Sequence, residues 1–217
     1  MNRTCAVVGV GEGLGMAIAK RFHQENYQLA LMSRSLDKLK QYEQSLDRSS
    51  AAVKSFSTDA SSTESLTQAF EEVKNTSGSP EVLIYNAAML RSTDLMNVTA
   101  EELLQDFQVN VVGAVICVQQ VVEDMRQNNK GTIIFTGGGF ADAPTPQMAS
   151  LGMGKAAIRN LAQSLAKQLQ PDGIRVATVT INGIIGSNSH FAPERIAETY
   201  WQIHAADALK EPEYVYE

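Results

Sequence analysis

The sequence predicts an α/β protein with a doubly wound parallel sheet and helices on both faces, and three observations support this. Short apolar runs alternate with longer amphipathic segments along the chain. The runs are apolar at consecutive positions, which is typical of strands buried on both faces. A helical segment follows each of the first five strands. Right-handed crossovers between parallel strands would place such helices on both sides of one sheet.

The pattern places six strands and five helices. The strands are predicted at residues 4–10, 28–34, 51–59, 81–88, 131–138 and 174–181. The helices are predicted at residues 16–27, 36–47, 63–78, 100–127 and 149–169. Gly78 supplies the stop signal of the third helix. Because no repeat or linker interrupts this order, we expect residues 1–217 to form a single domain of the Rossmann type.

Composition narrows the classes of partner and compartment. Hydrophobic residues make up 44% of the 217 and charged residues 19%, which is typical of a globular protein. A net charge of -6 weighs against nucleic acid or an anionic membrane as partner. No apolar run approaches the ~20 residues of a membrane span, and nothing resembles a signal peptide. Cys5 and Cys117 lie in apolar runs, so we expect buried thiols and a cytoplasmic protein.

A glycine-rich turn follows the first strand. The segment "VVGVGEGLGMAI" fits the spacing G-x-x-x-G-x-G through Gly9, Gly13 and Gly15. Glycines allow the backbone to turn sharply and approach a pyrophosphate, whose charge is stabilised at a helix N-terminus. The position after strand one favours a dinucleotide site over a turn without ligand.

Several motifs in this order resemble the short-chain dehydrogenase/reductase family from end to end. The glycine loop is similar to T-G-x-x-x-G-x-G, with Val8 in place of threonine. The other matching features are "YNAA" at 85–88 for N-N-A-G, Asn110 for a helix asparagine, "GMGKAAI" around Lys155, and "DGIRVATVTINGII" at 172–185 with Asn182 for a proline.

The resemblance implies a cofactor site and part of a catalytic one. The cofactor residues it implies are Gly9, Gly13, Leu14, Gly15, Ser33, Arg34, Asp59, Ala60, Asn86, Ala87, Ala88, Lys155, Gly183 and Ile185. Asn110 and Lys155 are the catalytic positions retained. Each also has a structural alternative, since Lys155 could bind ribose hydroxyls with no tyrosine to activate, and Asn110 could hydrogen-bond the backbone of strand four.

The end of the second strand favours NADP over NAD. An acidic residue there would receive the ribose 2′-hydroxyl of NAD, but "LMSRS" offers Ser33 and Arg34 instead. A guanidinium can bind a 2′-phosphate through charge-assisted hydrogen bonds, although an isolated arginine is often only solvated. Asp59 resembles the family aspartate near the adenine, and it could also cap the following helix.

The catalytic tyrosine and serine hydroxyls of the family are missing from this sequence. The family places a tyrosine four residues before the lysine, which reaches Leu151, and a serine thirteen before that, which reaches Gly138. A variant position, seven residues before the lysine, holds Met148. Leucine has no proton to give and glycine no hydroxyl, so the usual proton transfer cannot pass through these positions.

Replacement donors and two functions remain open. Ser150, Asp142, Thr145 and His190 lie near the vacant positions, although ordinary loop polarity explains each of them as well. The resemblance favours an NADP-preferring oxidoreductase acting on a small carbonyl or alcohol. Gly138 and Leu151 favour a non-catalytic NADP(H) sensor or the partner subunit of an active enzyme.

The two long helices predict self-association. Apolar residues in the helix at 100–127 nearly circle it, which requires burial on more than one side. In the family, this helix and the one at 149–169 commonly pair with their copies in a neighbouring subunit. We therefore expect a homodimer or homotetramer.

Overall fold

A seven-stranded parallel sheet forms the centre of the computed structural model, which describes residues 3–46, 51–92, 94–186, 189–209 and 211–217. Its strands are β1 (Thr4–Val8), β2 (Gln28–Ser33), β3 (Val53–Ser57), β4 (Val82–Tyr85), β5 (Gly131–Thr136), β6 (Ile174–Ile181) and β7 (Glu213–Tyr216). Their order across the sheet is β3-β2-β1-β4-β5-β6-β7, and every pair is parallel. The predicted doubly wound α/β fold is confirmed.

In the described residues, seven α-helices cover the two faces of the sheet. They are α1 (Leu14–Gln24), α2 (Leu36–Leu46), α3 (Thr63–Ser77), α4 (Ala100–Phe107), α5 (Gly113–Gln127), α6 (Ala149–Leu169) and α7 (Pro193–Ala205). Alternate residues of each central strand face opposite sides, so Val7 packs with α1, α2 and α7, whereas Val8 packs with α3, α5 and α6. The sheet therefore separates two apolar cores.

The prediction of one continuous helix at residues 100–127 is wrong. A capping box formed by Thr99 and Glu102 starts α4, and a π-helical turn at Gln108–Val112 then separates α4 from α5. At the start of α5, an added Cβ on Gly113 would overlap the carbonyl oxygen of Ala60 and the Tyr85 hydroxyl. The chain gains one extra residue in this turn and so changes which side chains face the sheet.

Two elements were not predicted, and most predicted strands run too far. Helix α7 and the four-residue strand β7 are absent from the sequence-based assignment. Strands β1 to β5 end one to three residues earlier than predicted, and the residues that leave the sheet there become loops at its carboxyl edge. Those loops carry the glycines and polar residues of the site described below.

In the described part of the chain, none of the helices combines the length and apolar character needed to cross a bilayer. The thiols of Cys5 and Cys117 are buried and unpaired, as expected.

Candidate functional site

A cleft of about 1160 Å³ opens at the carboxyl edge of the sheet, lined by the loops that follow β1 to β6. The strand order reverses between β1 and β4, and in open α/β sheets such a switch point is where ligands bind. All fourteen residues predicted for the cofactor line this cleft. Their role in binding stays a prediction.

The glycine loop is pressed against the segment that follows β4. Gly9 has a φ of +89°, and a Cβ there would overlap the backbone of Ala87. A Cβ on Gly15 would lie 2.7 Å from the carbonyl oxygen of Gly9, and that oxygen accepts a hydrogen bond of 2.8 Å from Asn86 Nδ2. Gly13 precedes α1 and offers no side-chain cap. Gly13 therefore provides no side chain to accept hydrogen bonds from the first N–H groups of α1, which lie at the wall of the cleft.

The loops after β2 and β3 form the next part of the wall. Ser33 and Arg34 line the cleft, and Arg34 is exposed. Asp59 Oδ1 accepts hydrogen bonds from the Ser61 N–H (2.9 Å) and hydroxyl (2.7 Å), and these lower the pKa of Asp59, with a smaller contribution from Arg34. The alternative role of Asp59 as a helix cap is wrong, because Ser62 caps α3.

Lys155 reaches the cleft from α6. Its Nζ donates a hydrogen bond of 2.6 Å to the carbonyl oxygen of Thr136, the last residue of β5. Only 9% of the residue is exposed, and this burial lowers the pKa of Lys155 to about 8. The hydroxyl of Thr136 bonds Asn86 Oδ1 (2.9 Å) and the Tyr200 hydroxyl (2.8 Å), which fixes the strand end that holds the lysine.

Asn110 lies behind the cleft wall. The π-helical turn directs its side chain to the backbone of Met89, whose N–H donates to Asn110 Oδ1 (2.7 Å) and whose carbonyl accepts from Nδ2 (3.4 Å). Helix α6 packs closely here, since a Cβ on Gly154 would lie 2.8 Å from Asn110 Cβ. Asn110 is thus a backbone tie, but it binds Met89, in the loop after β4, and not the strand-four backbone considered from the sequence.

The two substituted positions both line the cleft. Gly138 has extended backbone angles (φ -175°, ψ 147°), and the atoms nearest to a Cβ there would be Cγ, Cδ and Cε of Lys155, at 3.6–3.7 Å. Leu151 is 4% exposed and lines the same wall, as does Met148. The structure thus brings Gly138, Leu151 and Lys155 together, as the spacing predicts, with no hydroxyl at either substituted position.

None of the four replacement donors lines the cleft. The Ser150 hydroxyl donates to Asp106 Oδ2 (2.6 Å), and Asp142 pairs with Arg159 (2.6 Å). His190 lies 2.7 Å from the Glu217 carbonyl oxygen and packs against Phe191 and Tyr216. Ser150 lies on α6, Asp142 and Thr145 lie on the connection between β5 and α6, and His190 lies on the segment after β6.

The sequence motifs did not indicate most of the apolar wall or several polar residues that line the cleft, namely Thr58, Ser61, Gln105 and Thr136. The wall at this end contains Leu90, Phe140, Met148, Leu151 and Ile184, of which only Met148 and Leu151 were considered. Gln105 also lines the cleft, from α4. The sequence feature that could have indicated Gln105 is its position in the same predicted helix, shortly before Asn110.

The chain matches the family model described as short chain dehydrogenase over residues 3–190. It is 33% identical to "Oxidoreductase asL5" of Sarocladium schorii over 175 residues, which are 81% of this chain and 69% of that protein. It is 27% identical to "Carbonyl reductase family member 4" of Xenopus laevis over 179 residues, which are 82% of this chain and 74% of that protein.

Solved structures share the fold. A metagenomic short-chain oxidoreductase in complex with NADP has a TM-score of 0.90, with 21% identity over 98% of this chain and 96% of that one. An alcohol dehydrogenase from the archaeon Thermococcus sibiricus, complexed with 5-hydroxy-NADP, has a TM-score of 0.89, with 21% identity over 99% and 96%. From the family match, the identity to its relatives and the shared fold, this chain belongs to the short-chain dehydrogenase family.

Proposed function

We propose that this chain is an NADP(H)-binding oxidoreductase with an atypical active site, acting on a small carbonyl or alcohol. One observation carries the proposal: a glycine loop in which close backbone contacts require Gly9 and Gly15 lines the same cleft as Lys155. Gly13, directly before α1, adds no side chain at the start of that helix, where a pyrophosphate would bind. On this proposal residues 1–217 act as one dinucleotide-binding domain, in the cytoplasm.

The residues present fit the dinucleotide along the whole cleft. Backbone N–H groups at Gly13, Leu14 and Gly15 would hold the pyrophosphate at the start of α1. The loops after β2 and β3 would hold the adenosine, with Asp59 and Ala60 near the adenine. The loops after β4 and β6 would hold the nicotinamide side through Asn86, Ala87, Ala88, Gly183 and Ile185, and Lys155 would bind ribose hydroxyls. When bound, the cofactor supplies or accepts a hydride.

The preference for NADP rests on the loop after β2. Ser33 and Arg34 line the cleft there, and no carboxylate stands at the end of β2. Arg34 is exposed and available to a 2′-phosphate. The NADP complexes of two structural neighbours support the same preference. The acidic side chain nearest to Arg34 in this wall, Asp59, is held by Ser61.

Titration with NADPH and NADH tests this proposal. We expect NADPH to bind at least tenfold more tightly than NADH, and Arg34→Ala to remove most of that difference, because hydrogen bonds to charged groups contribute about 1.5–3 kcal/mol. Lys38→Ala, a nearby exposed lysine on α2, is the matched control and should leave both affinities unchanged. Absence of binding by either nucleotide at millimolar concentration would contradict the proposal.

A second function is favoured by Gly138 and Leu151. A non-catalytic NADP(H) sensor, or a subunit that supports an active partner, needs the cofactor but no proton donor. Such a protein would bind NADPH with the same dependence on Arg34 and would reduce no carbonyl compound at any pH.

We also propose that the chain forms a homodimer or homotetramer through α4 to α6. Leu104, Phe107 and Met153 expose 70%, 44% and 48% of their surface on α4 and α6, which pack together in the described structure. Sedimentation velocity at micromolar concentration tests this, and a monomer would contradict it.

A further inference from the structure

One end of the cleft is formed by the loops after β4, β5 and β6 together with α6. Its wall is largely apolar, including Leu90, Phe140, Leu151 and Ile184. Among the described residues that line the cleft from Asn86 onward, Lys155 alone has an ionisable side chain. Among these described residues, a proton given to a ligand at this end must come from Lys155 or from a neutral group.

The neutral polar groups are poor proton donors. Asn86 bonds the Gly9 carbonyl and Thr136, and the Thr136 hydroxyl is shared with Asn86 and Tyr200. The amides of Gln105 and Asn182 can donate hydrogen bonds, but they do not release protons near neutral pH. They can orient an oxygen without neutralising its charge.

Gly138 places no side chain of its own against the buried Lys155. A Cβ at position 138 would lie 3.6–3.7 Å from Lys155 Cγ, Cδ and Cε, in ordinary contact with the aliphatic part of the side chain. With glycine in that place, no side chain of residue 138 separates the lysine from a ligand. Of its three N–H bonds, Lys155 uses one on the Thr136 carbonyl.

We propose that Lys155 is the proton donor of this site, a role that rests on the oxidoreductase function proposed above. As the carbonyl carbon of the substrate accepts the hydride, the π electron pair of the C=O bond moves to the oxygen. That oxygen takes a proton from Lys155 Nζ, which gives the alcohol and leaves a neutral amine. The amine regains its proton from water. The substrate that suits the apolar wall is an apolar carbonyl compound.

The surroundings of Lys155 suit such a donor. Burial lowers its pKa to about 8, so it is mainly protonated at pH 7 and is a stronger acid than a free tyrosine of pKa about 10. The groups around it carry little net charge. From β5 it meets the Thr136 carbonyl, and from α7 the Tyr200 phenol lies behind Thr136 with its pKa raised by burial. From the π-helical turn comes the neutral Asn110, and one turn along α6 Arg159 pairs with Asp142 and Glu213.

The test compares Lys155→Arg with the wild type, because arginine keeps the charge and hydrogen bonds but gives up no proton in this pH range. Lys167→Met, at an exposed lysine on the same helix, is the matched control. Lysine labelled with ¹³C at Cε reports each protonation state by NMR. Single-turnover oxidation of bound NADPH by 1-phenyl-1,2-propanedione, an apolar diketone, reports the reaction from pH 6 to 10.

We expect one lysine signal to titrate near pH 8 and to vanish in Lys155→Arg. The single-turnover rate should fall about tenfold per pH unit above that midpoint, since the acid form is required. Lys155→Arg should lower the rate at pH 7 by at least 100-fold, with NADPH affinity changed by less than tenfold. Lys167→Met should change neither the rate nor its pH dependence.

Two results would overturn the proposal while cofactor binding stands. One is a Lys155→Arg variant that keeps the wild-type rate and pH profile. The other is a wild-type protein that binds NADPH and does not oxidise it with the diketone at any pH. If NADPH does not bind at all, the proposed function fails, and the assignment of Lys155 fails with it.

Discussion

Gly9 and Gly15, at one end of the cleft, differ from Gly138, at the other end, in the space that each leaves for a side chain. At the end formed by the loop after β1, Gly9 and Gly15 leave no room for a Cβ, because neighbouring backbone fills the space. At the end formed by β5 and α6, a Cβ on Gly138 would make only ordinary contacts with Lys155. Close backbone contacts therefore require glycine at positions 9 and 15, but no such contact requires it at position 138. The fold can keep its nucleotide cleft while the residues of proton transfer change.

The largest effect is expected at Gly9. In Gly9→Ala the added Cβ would overlap Ala87 at a positive φ, which we expect to cost on the order of 3 kcal/mol or more of unfolding free energy. Gly11→Ala is the matched control in the same loop, because its Cβ meets nothing within 4 Å. Urea denaturation measures both. Equal stability of the two variants would remove the distinction between required and free glycines.

A smaller effect is expected from the buried charge of Lys155. Its folded pKa of about 8 lies below the ordinary value of 10.5, so between these values the unfolded chain binds more protons and stability rises with pH. Relative to Lys155→Met, the wild type should therefore gain stability from pH 8 to pH 10.5, by at most about 3 kcal/mol.

Denaturation of the two proteins over this pH range measures that gain. The exposed Lys167→Met variant should run parallel to the wild type throughout. A stability difference between wild type and Lys155→Met that does not change with pH would show that the ammonium carries no desolvation cost.

The sequence was sufficient for the sheet and for the nucleotide end of the cleft. Apolar runs and their spacing fixed six of the strands, and the glycine spacing located Gly9 and Gly15 before any contact was visible. The four residues of β7 are too few to form a pattern, and their pairing with β6 is a long-range contact. The helix break near Asn110 was hidden because a π-helical turn keeps helical composition while adding one residue.

The other end of the cleft was predicted less completely. Counting from Lys155 located Gly138 and Leu151 correctly in the wall, since both lie at fixed spacing on neighbouring elements. The direction of the Ser150, Asp142 and His190 side chains depends on partners that are distant in sequence, such as Asp106 and Arg159. Residues that share a loop or helix in sequence can therefore face away from the cleft in space.

The central claim is that the cleft retains its nucleotide-binding end, and that its other end lacks only the serine and tyrosine hydroxyls at positions 138 and 151. The most direct measurement compares the wild type with Gly138→Ser/Leu151→Tyr for NADPH affinity and for reduction of 1-phenyl-1,2-propanedione by the same samples. We expect the NADPH affinities of the two proteins to agree within about twofold and the double variant to reduce the diketone roughly tenfold faster or more. The single variant Gly138→Ser should change the free energy of unfolding by less than about 1 kcal/mol. A folded double variant that binds NADPH and gains no rate would contradict the claim, because the rest of the site would then be out of register.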